Sequence, residues 1–209
     1  MFTGIVEEVG TITEINKIAK EAIQLTIQAH LVTEDVKVGD SIAVNGICLT
    51  VTDFQATNIQ VDVMPETMRA TSLIGLEVGS NVNLERSLQP TGRIGGHFVT
   101  GHVDGVGEVV RKQVFENAVY YDVHIPKSFI NYFMMKGSVA IDGVSLTVFG
   151  ISYKENVITM SLIPHTLSVT ILGEKKVGDI VNFECDMLVK HVLHYLENTL
   201  DIVGGVNNV

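Results

Sequence analysis

Ser41–Val51 reads SIAVNGICLTV and Ser138–Val148 reads SVAIDGVSLTV. At an offset of 97 the two stretches share six identities in eleven, and most of the differences conserve size. Phe2–Gly10 (FTGIVEEVG) matches Val99–Gly107 (VTGHVDGVG) at the same offset, with five identities in nine. A third block, Val63–Glu85 (VMPETMRATSLIGLEVGSNVNLE), matches Leu162–Glu184 (LIPHTLSVTILGEKKVGDIVNFE) at an offset of 99. The second copy therefore carries two extra residues, which we place in a hairpin turn near Asn156. Three collinear blocks at nearly one offset imply a duplicated domain of about 90 residues.

The chain has 209 residues, with 46% apolar and 18% charged, enough to bury a core in each copy. Its 31 Val, 20 Ile and 17 Thr are nearly a third of the sequence, and β-branched side chains suit pleated sheets better than helices. Ala22, Gln24 and Thr26 alternate with Ile23, Leu25 and Ile27, the period of a half-buried strand. About six short strands per copy without βαβ spacing favour a closed antiparallel barrel, because closure removes exposed edges. Pro65-Glu66-Thr67 and Pro164-His165-Thr166 are expected to open a short helical turn in each copy. Leu88–Ile94 (LQPTGRI) carries Pro and Gly and suits a connector.

The end of the chain follows a different rule. Asp186 is a candidate N-cap, and Leu188, Val189, Val192, Leu193, Leu196 and Leu200 recur at helical spacing. This helix either packs back on the barrels or pairs with copies of itself.

A net charge of −10, with 14 Lys and Arg spread thinly, excludes the basic stripe of a nucleic-acid binder and makes an anionic membrane surface a poor partner. No segment approaches the roughly 18 apolar residues of a membrane span, and MFTGIVEEVG lacks the pattern of a signal peptide, so a cytoplasmic protein is expected. Cys48 and Cys185 lie far apart and read as reduced thiols. His191 and His194 are spaced to share a helix face, yet nothing nearby completes a metal site, and they read as a solvated face.

The glycine-rich stretch Arg93–Gly105 (RIGGHFVTGHVDG) lacks both nucleotide-loop spacings. It reads either as a bulged strand or as a place of close approach to a ligand. The copies differ where chemistry is concerned: Cys48 aligns with Ser145, Ile5 with His102, Asn45 with Asp142 and Glu66 with His165. Pockets of one shape with unlike reactive groups would treat two similar ligands differently. His102 suits proton transfer near neutral pH, and Cys48 and Ser145 suit hydrogen bonding or nucleophilic attack.

These residues resemble the riboflavin synthase family of lumazine-binding repeats. The likeness rests on Met1–Val6, Asn45–Val51, Gly95-Gly96-His97, Gly101–Gly105, Asp142–Val148 and Ile163–Thr166, and it covers essentially the whole chain. It implies an all-β fold of two tandem six-stranded antiparallel Greek-key barrels, related by a pseudo-twofold axis, with a C-terminal α-helix. The implied domains are a barrel over 1–97 (linker about 88–97), a barrel over 98–186, and a trimerisation helix and tail over 187–209. The implied reaction, catalysed by a transferase without metal or cofactor, is the last step of riboflavin biosynthesis. It moves a four-carbon unit between two molecules of 6,7-dimethyl-8-ribityllumazine, giving riboflavin and 5-amino-6-(D-ribitylamino)uracil. A homotrimer is implied, with each active site between the first barrel of one subunit and the second barrel of its neighbour, as is an association with lumazine synthase.

Carried over by motif, Gly4, Ile5, Val6, Cys48, Leu49, Thr50, Asp62, Val63, Met64, Pro65, Glu66 and Thr67 are expected around the first lumazine. Gly101, His102, Val103, Ser145, Leu146, Thr147, Ser161, Leu162, Ile163, Pro164, His165 and Thr166 are expected around the second, and Lys136 is expected to reach the ligand of an adjacent subunit. The resemblance assigns His102, with Thr147, to proton transfer at the 7-methyl group, and Cys48, Ser41 and Ser145 to addition at C7. The competing reading is a non-catalytic lumazine- or flavin-binding fluorescent antenna. Such relatives erode the motifs of one half, whereas Gly-Gly-His, Gly-His-Val-Asp and Ser-Leu-Thr are intact here.

Overall fold

A computed structural model describes residues 1–18 and 22–204. The first repeat forms β1 (Glu8–Lys17), β2 (Ile23–Gln28), β3 (Ser41–Val44), β4 (Ile47–Gln55), β5 (Asn58–Val63) and β6 (Asn81–Arg86). The second forms β7 (Gly105–Phe115), β8 (Ala118–His124), β9 (Ser138–Ile141), β10 (Val144–Ser152), β11 (Val157–Leu162) and β12 (Ile180–Cys185). Each set closes into an antiparallel barrel, in the orders β1-β2-β5-β4-β3-β6 and β7-β8-β11-β10-β9-β12. Short helices α1 (Pro65–Ala70) and α2 (Pro164–Val169) follow the fifth strand of each barrel, with proline at the start of each. The two extra residues of the second copy lie in its β10–β11 turn, 153–156, which replaces the two-residue turn 56–57.

Alternation along the strands builds the cores. Ile12, Leu25, Ile27, Val51, Ile59 and Val61 fill the first barrel, and Val109, Tyr121, Val123, Ile158, Met160 and Phe183 fill the second. Register shifts between Ile12 and Glu14 and between Val51 and Asp53 recur between Val109 and Arg111 and between Val148 and Gly150. Such bulges bend a strand enough to close a small barrel.

The barrels meet across a symmetric seam. Phe2 and Val99 exchange backbone hydrogen bonds of 2.7 and 3.1 Å, and with Ala43 and Ala140 they form a small buried cluster. Both pairs are related by the repeat offset, so a pseudo-twofold axis passes between them. Beside it lies a polar lattice. Asn83 Nδ2–H donates to the Asp142 carbonyl at 2.8 Å while Asn83 Oδ1 accepts from Ile171 N–H at 2.8 Å. Asn182 repeats this in the other direction, donating to the Asn45 carbonyl at 2.9 Å and accepting from Ser72 N–H at 2.8 Å. Each asparagine thus satisfies buried backbone groups of the opposite barrel, where unpaired groups would be costly.

Helix α3 (Met187–Gly204) starts where the second barrel ends. Asp186 Oδ1 accepts from Leu188 N–H at 2.9 Å, the expected N-cap, and Lys190 pairs with Asp104 at 3.0 Å. Leu188, Val192 and Leu196 remain exposed, as does Tyr195 beside them, so this part of the apolar stripe does not pack back on the barrels. Residues 205–209 of the expected 187–209 segment lie outside the described residues.

Asn83→Ala would strand a buried N–H and a buried carbonyl in the other barrel. We expect it to cost about 2–6 kcal/mol of unfolding free energy in urea, at about 1–3 kcal/mol for each of the two orphaned groups. A loss below about 0.5 kcal/mol would contradict the bridging role.

Candidate functional site

Each repeat begins with a turn held by a buried carboxylate. Glu85 on β6 accepts from Thr3 N–H (2.7 Å), Thr3 Oγ1–H (3.0 Å) and Gly4 N–H (3.1 Å). Glu184 on β12 accepts from Thr100 N–H (2.7 Å), Thr100 Oγ1–H (2.7 Å) and Gly101 N–H (2.9 Å). Burial pushes the Glu85 carboxyl above its ordinary range, and the bonds from Thr3 and Gly4 only partly offset that rise. The sequence showed both glutamates at one aligned position, but only as the ends of the third matching block.

From these turns the chain crosses to the other barrel. The Gly4 carbonyl accepts from Ser145 N–H at 2.7 Å, and the Gly101 carbonyl accepts from Cys48 N–H at 2.8 Å. Val6 packs against the core of the second barrel, and Val103 against that of the first. The approach requires glycine: a β-carbon on Gly4 or Gly101 would come within 2.6 Å of the Ser145 or Cys48 β-carbon, and both backbones have positive φ (+75° and +80°).

This crossing corrects the expected grouping of site residues. Gly4, Ile5 and Val6 belong with Ser145 on the second barrel, and Gly101, His102 and Val103 belong with Cys48 on the first. His102 and Thr147, expected to act together, lie on opposite barrels of one chain.

Strand alternation then sorts the rest. Val51 pairs with Val61 and Val148 with Met160, which brings 48–50 beside 62–67 and 145–147 beside 161–166. Leu49, Val63 and Leu162 are buried in the lumen and Leu146 packs against it, so these four offer a ligand only their backbone. Cys48, Thr50, Asp62 and Met64 point the other way, as do Ser145, Thr147, Ser161 and Ile163. The two candidate sites therefore lie on the outer walls of packed barrels. Pro65, Glu66 and Thr67 rim the first site from α1, and Pro164, His165 and Thr166 rim the second from α2. Met64 and Ile163 are 61% and 57% exposed and Ile5 is 49% exposed, so both sites open to solvent along apolar edges. Asp62 accepts from Gln24 Nε2–H at 3.1 Å and stands at the edge of the first site.

Ser41 pairs with Thr50 across the β3–β4 ladder. It also borders a cavity of about 660 Å³ beside the connector, shared with Ile5, Arg86 and Gly95. Lys136 is exposed in the turn before β9, its N–H donating to the Val148 carbonyl at 2.8 Å. Cys185 is buried in the second barrel, where burial pushes its thiol up and away from reactivity. His191 and His194 lie exposed on α3. One side chain absent from the expected set joins the site: His97 Nδ1 lies 2.7 Å from Ser145 Oγ.

The model of the lumazine binding domain matches residues 3–87 and 100–186, one match per barrel. The chain belongs to the lumazine-binding domain family. Among curated members of this family, riboflavin synthase of Bacillus subtilis (strain 168) is 55% identical over 94% of this chain and 90% of its own length. Riboflavin synthase of Actinobacillus pleuropneumoniae is 46% identical over the same shares. Among solved lumazine-binding structures, LumP complexed with 6,7-dimethyl-8-(1'-D-ribityl) lumazine superposes with a TM-score of 0.79 at 29% identity, covering 88% of this chain and 98% of that one. LumP complexed with riboflavin gives 0.79 at 31% identity, with 88% and 99% covered.

The carboxylate anchor gives a direct check. Glu184→Gln keeps the shape but removes the charge from three bonds, and we expect a loss of about 1.5–3 kcal/mol in urea unfolding. Weakened ligand binding at the Cys48 site should accompany it, because Gly101 is released; unaltered binding would contradict the anchoring role.

Proposed function

We propose that the chain catalyses the dismutation of two 6,7-dimethyl-8-ribityllumazine molecules, transferring a four-carbon unit to give riboflavin and 5-amino-6-(D-ribitylamino)uracil. The observation that carries this reading is the 55% identity to a riboflavin synthase across both barrels. The two sites support it: they share one scaffold but present different groups, His102 and Cys48 on one and Ser145 on the other. A binding module has need of one such site; a dismutation needs two.

In this reading each outer wall holds one lumazine, with backbone groups of 48–50 and 62–67, or of 145–147 and 161–166, facing the amide-like edge of the ring. A wrong ligand would leave those groups unpaired. Asp62 and Glu66 accept from ribityl hydroxyls. His102 removes a proton from the 7-methyl group of one lumazine, while Cys48, Ser41 and Ser145, brought together from both walls when the rings stack, promote addition of a nucleophile at C7 of the other and orient the adduct. Stacking the rings face to face supplies much of the acceleration, since orientation alone can lower a barrier by about 7–11 kcal/mol.

Within one chain the sites lie on separate barrels, so the two lumazines meet when the first barrel of one subunit faces the second barrel of its neighbour. That arrangement brings His102 to Thr147 and Lys136 to the neighbouring ligand. The exposed residues of α3 support a homotrimer in which 187–209 is the assembly segment and 1–97 and 98–186 are the ligand-binding domains. No helix among the described residues is long and apolar enough to cross a membrane. An association with lumazine synthase rests on the family resemblance, and the expected cytoplasmic location accords with the likeness to riboflavin synthases.

Incubating the purified protein with 6,7-dimethyl-8-ribityllumazine should produce riboflavin, followed by absorbance, at one riboflavin per two lumazines consumed. His102→Ala should lower turnover by about 10²–10⁴-fold, the usual worth of a positioned general base. Binding without riboflavin formation would identify an antenna instead, and near-normal turnover in the variant would remove His102 from proton transfer.

A further inference from the structure

The two sites are built alike up to one contact. Ser145 and Cys48 occupy matched places, each under the carbonyl of a crossing glycine. Only Ser145 has a side-chain partner, His97 Nδ1 at 2.7 Å; among the described residues Cys48 has none. The connector places that ring. His97 N–H donates to the Thr3 carbonyl at 3.1 Å, and Gly96 lies so close that a β-carbon there would come within 2.5 Å of the Ser145 β-carbon.

We propose that His97 is a positioning residue, which through Nδ1 orients the Ser145 hydroxyl toward the lumazine on the outer wall of the second barrel. The inference rests on the dismutase reading above and deepens it: two identical substrates are treated differently because one meets a directed hydroxyl and the other a free thiol.

The chemistry of the contact supports this. A serine hydroxyl rotates among staggered positions and has one hydrogen to give, so a fixed neighbour on one side determines what it offers on the other. If the hydroxyl donates to Nδ1, its lone pairs face the ligand; if Nδ1–H donates to Oγ, the hydroxyl hydrogen is free for the ligand. The imidazole must be neutral for the first arrangement. Burial lowers the His97 pKa, with the carboxylate of Asp186, the N-cap of α3, opposing. Nε2 is buried without a partner, so the ring's hydrogen bond with Ser145 is its one polar side-chain attachment among the described residues.

The test uses the full-length protein with His97→Phe, His97→Asn, His97→Gln, Ser145→Ala and the double variant His97→Phe/Ser145→Ala. Riboflavin formation gives kcat and KM, and fluorescence titration gives lumazine affinity. We expect His97→Phe to lower kcat or affinity by about tenfold, the scale of one directed hydrogen bond. Asparagine, whose amide can occupy the place of Nδ1, should restore most of the loss, and glutamine, which reaches the place of Nε2, should not. The double variant should be no worse than Ser145→Ala alone, because His97 acts through that hydroxyl.

Values for His97→Phe within twofold of the wild type, equal behaviour of the asparagine and glutamine variants, or additive losses in the double variant would overturn the proposal. Should His97→Phe fail to fold, the asparagine and glutamine pair still decides. A wild-type protein that binds lumazine but makes no riboflavin would overturn the dismutase reading, and the affinities would still report whether His97 acts through Ser145.

Discussion

Two backbone hydrogen bonds, from Ser145 N–H to the Gly4 carbonyl and from Cys48 N–H to the Gly101 carbonyl, tie the start of each repeat to the opposite barrel. Because of them neither outer wall is complete from its own repeat. The segment carrying His102 closes the Cys48 site, and the segment carrying Ile5 closes the Ser145 site. The bonds depend on Glu85 and Glu184, which gather three donors each and fix the turn that aims the carbonyl. A carboxylate buried without such donors would cost several kcal/mol. Asn83 and Asn182 repeat the same crossing at the seam, so the barrels are joined by reciprocal polar bonds as well as by the cluster around Phe2 and Val99.

A duplicated scaffold gives two sites of one shape, and the reactive groups then diverge without disturbing it. Cys48 and Ser145 differ by one atom, and Ile5 and His102 sit at matched places on the crossing segments. His97 adds a further difference, since it comes from the connector and its ring bonds Ser145, whereas among the described residues no side chain bonds Cys48. The scaffold supplies equal placement of two rings, and the side chains supply the inequality that a reaction between identical molecules needs.

Much of this was legible in the sequence. The repeat, its two-residue insertion, the barrel class, the proline-started turns and the Asp186 cap all rest on local chemistry or on comparing the chain with itself. The crossing was not legible, because a repeat looks the same whether each leading segment docks on its own barrel or on the other. Leu49, Val63, Leu146 and Leu162 entered the expected site as members of contiguous motifs, although alternation directs them to the lumen. His97 escaped because its partner is 48 residues away and its own neighbourhood reads equally as a bulged glycine-rich strand.

The crossing between the barrels is probed by a crystal structure of the protein with 6,7-dimethyl-8-ribityllumazine or a non-reacting analogue. It predicts two ligands per chain on the outer walls, one touching Cys48 together with Gly101–Val103 and the other touching Ser145 together with Gly4–Val6. A single ligand per chain, a ligand inside a barrel, or a ligand bridging Cys48 and Ile5 of the same chain would contradict it.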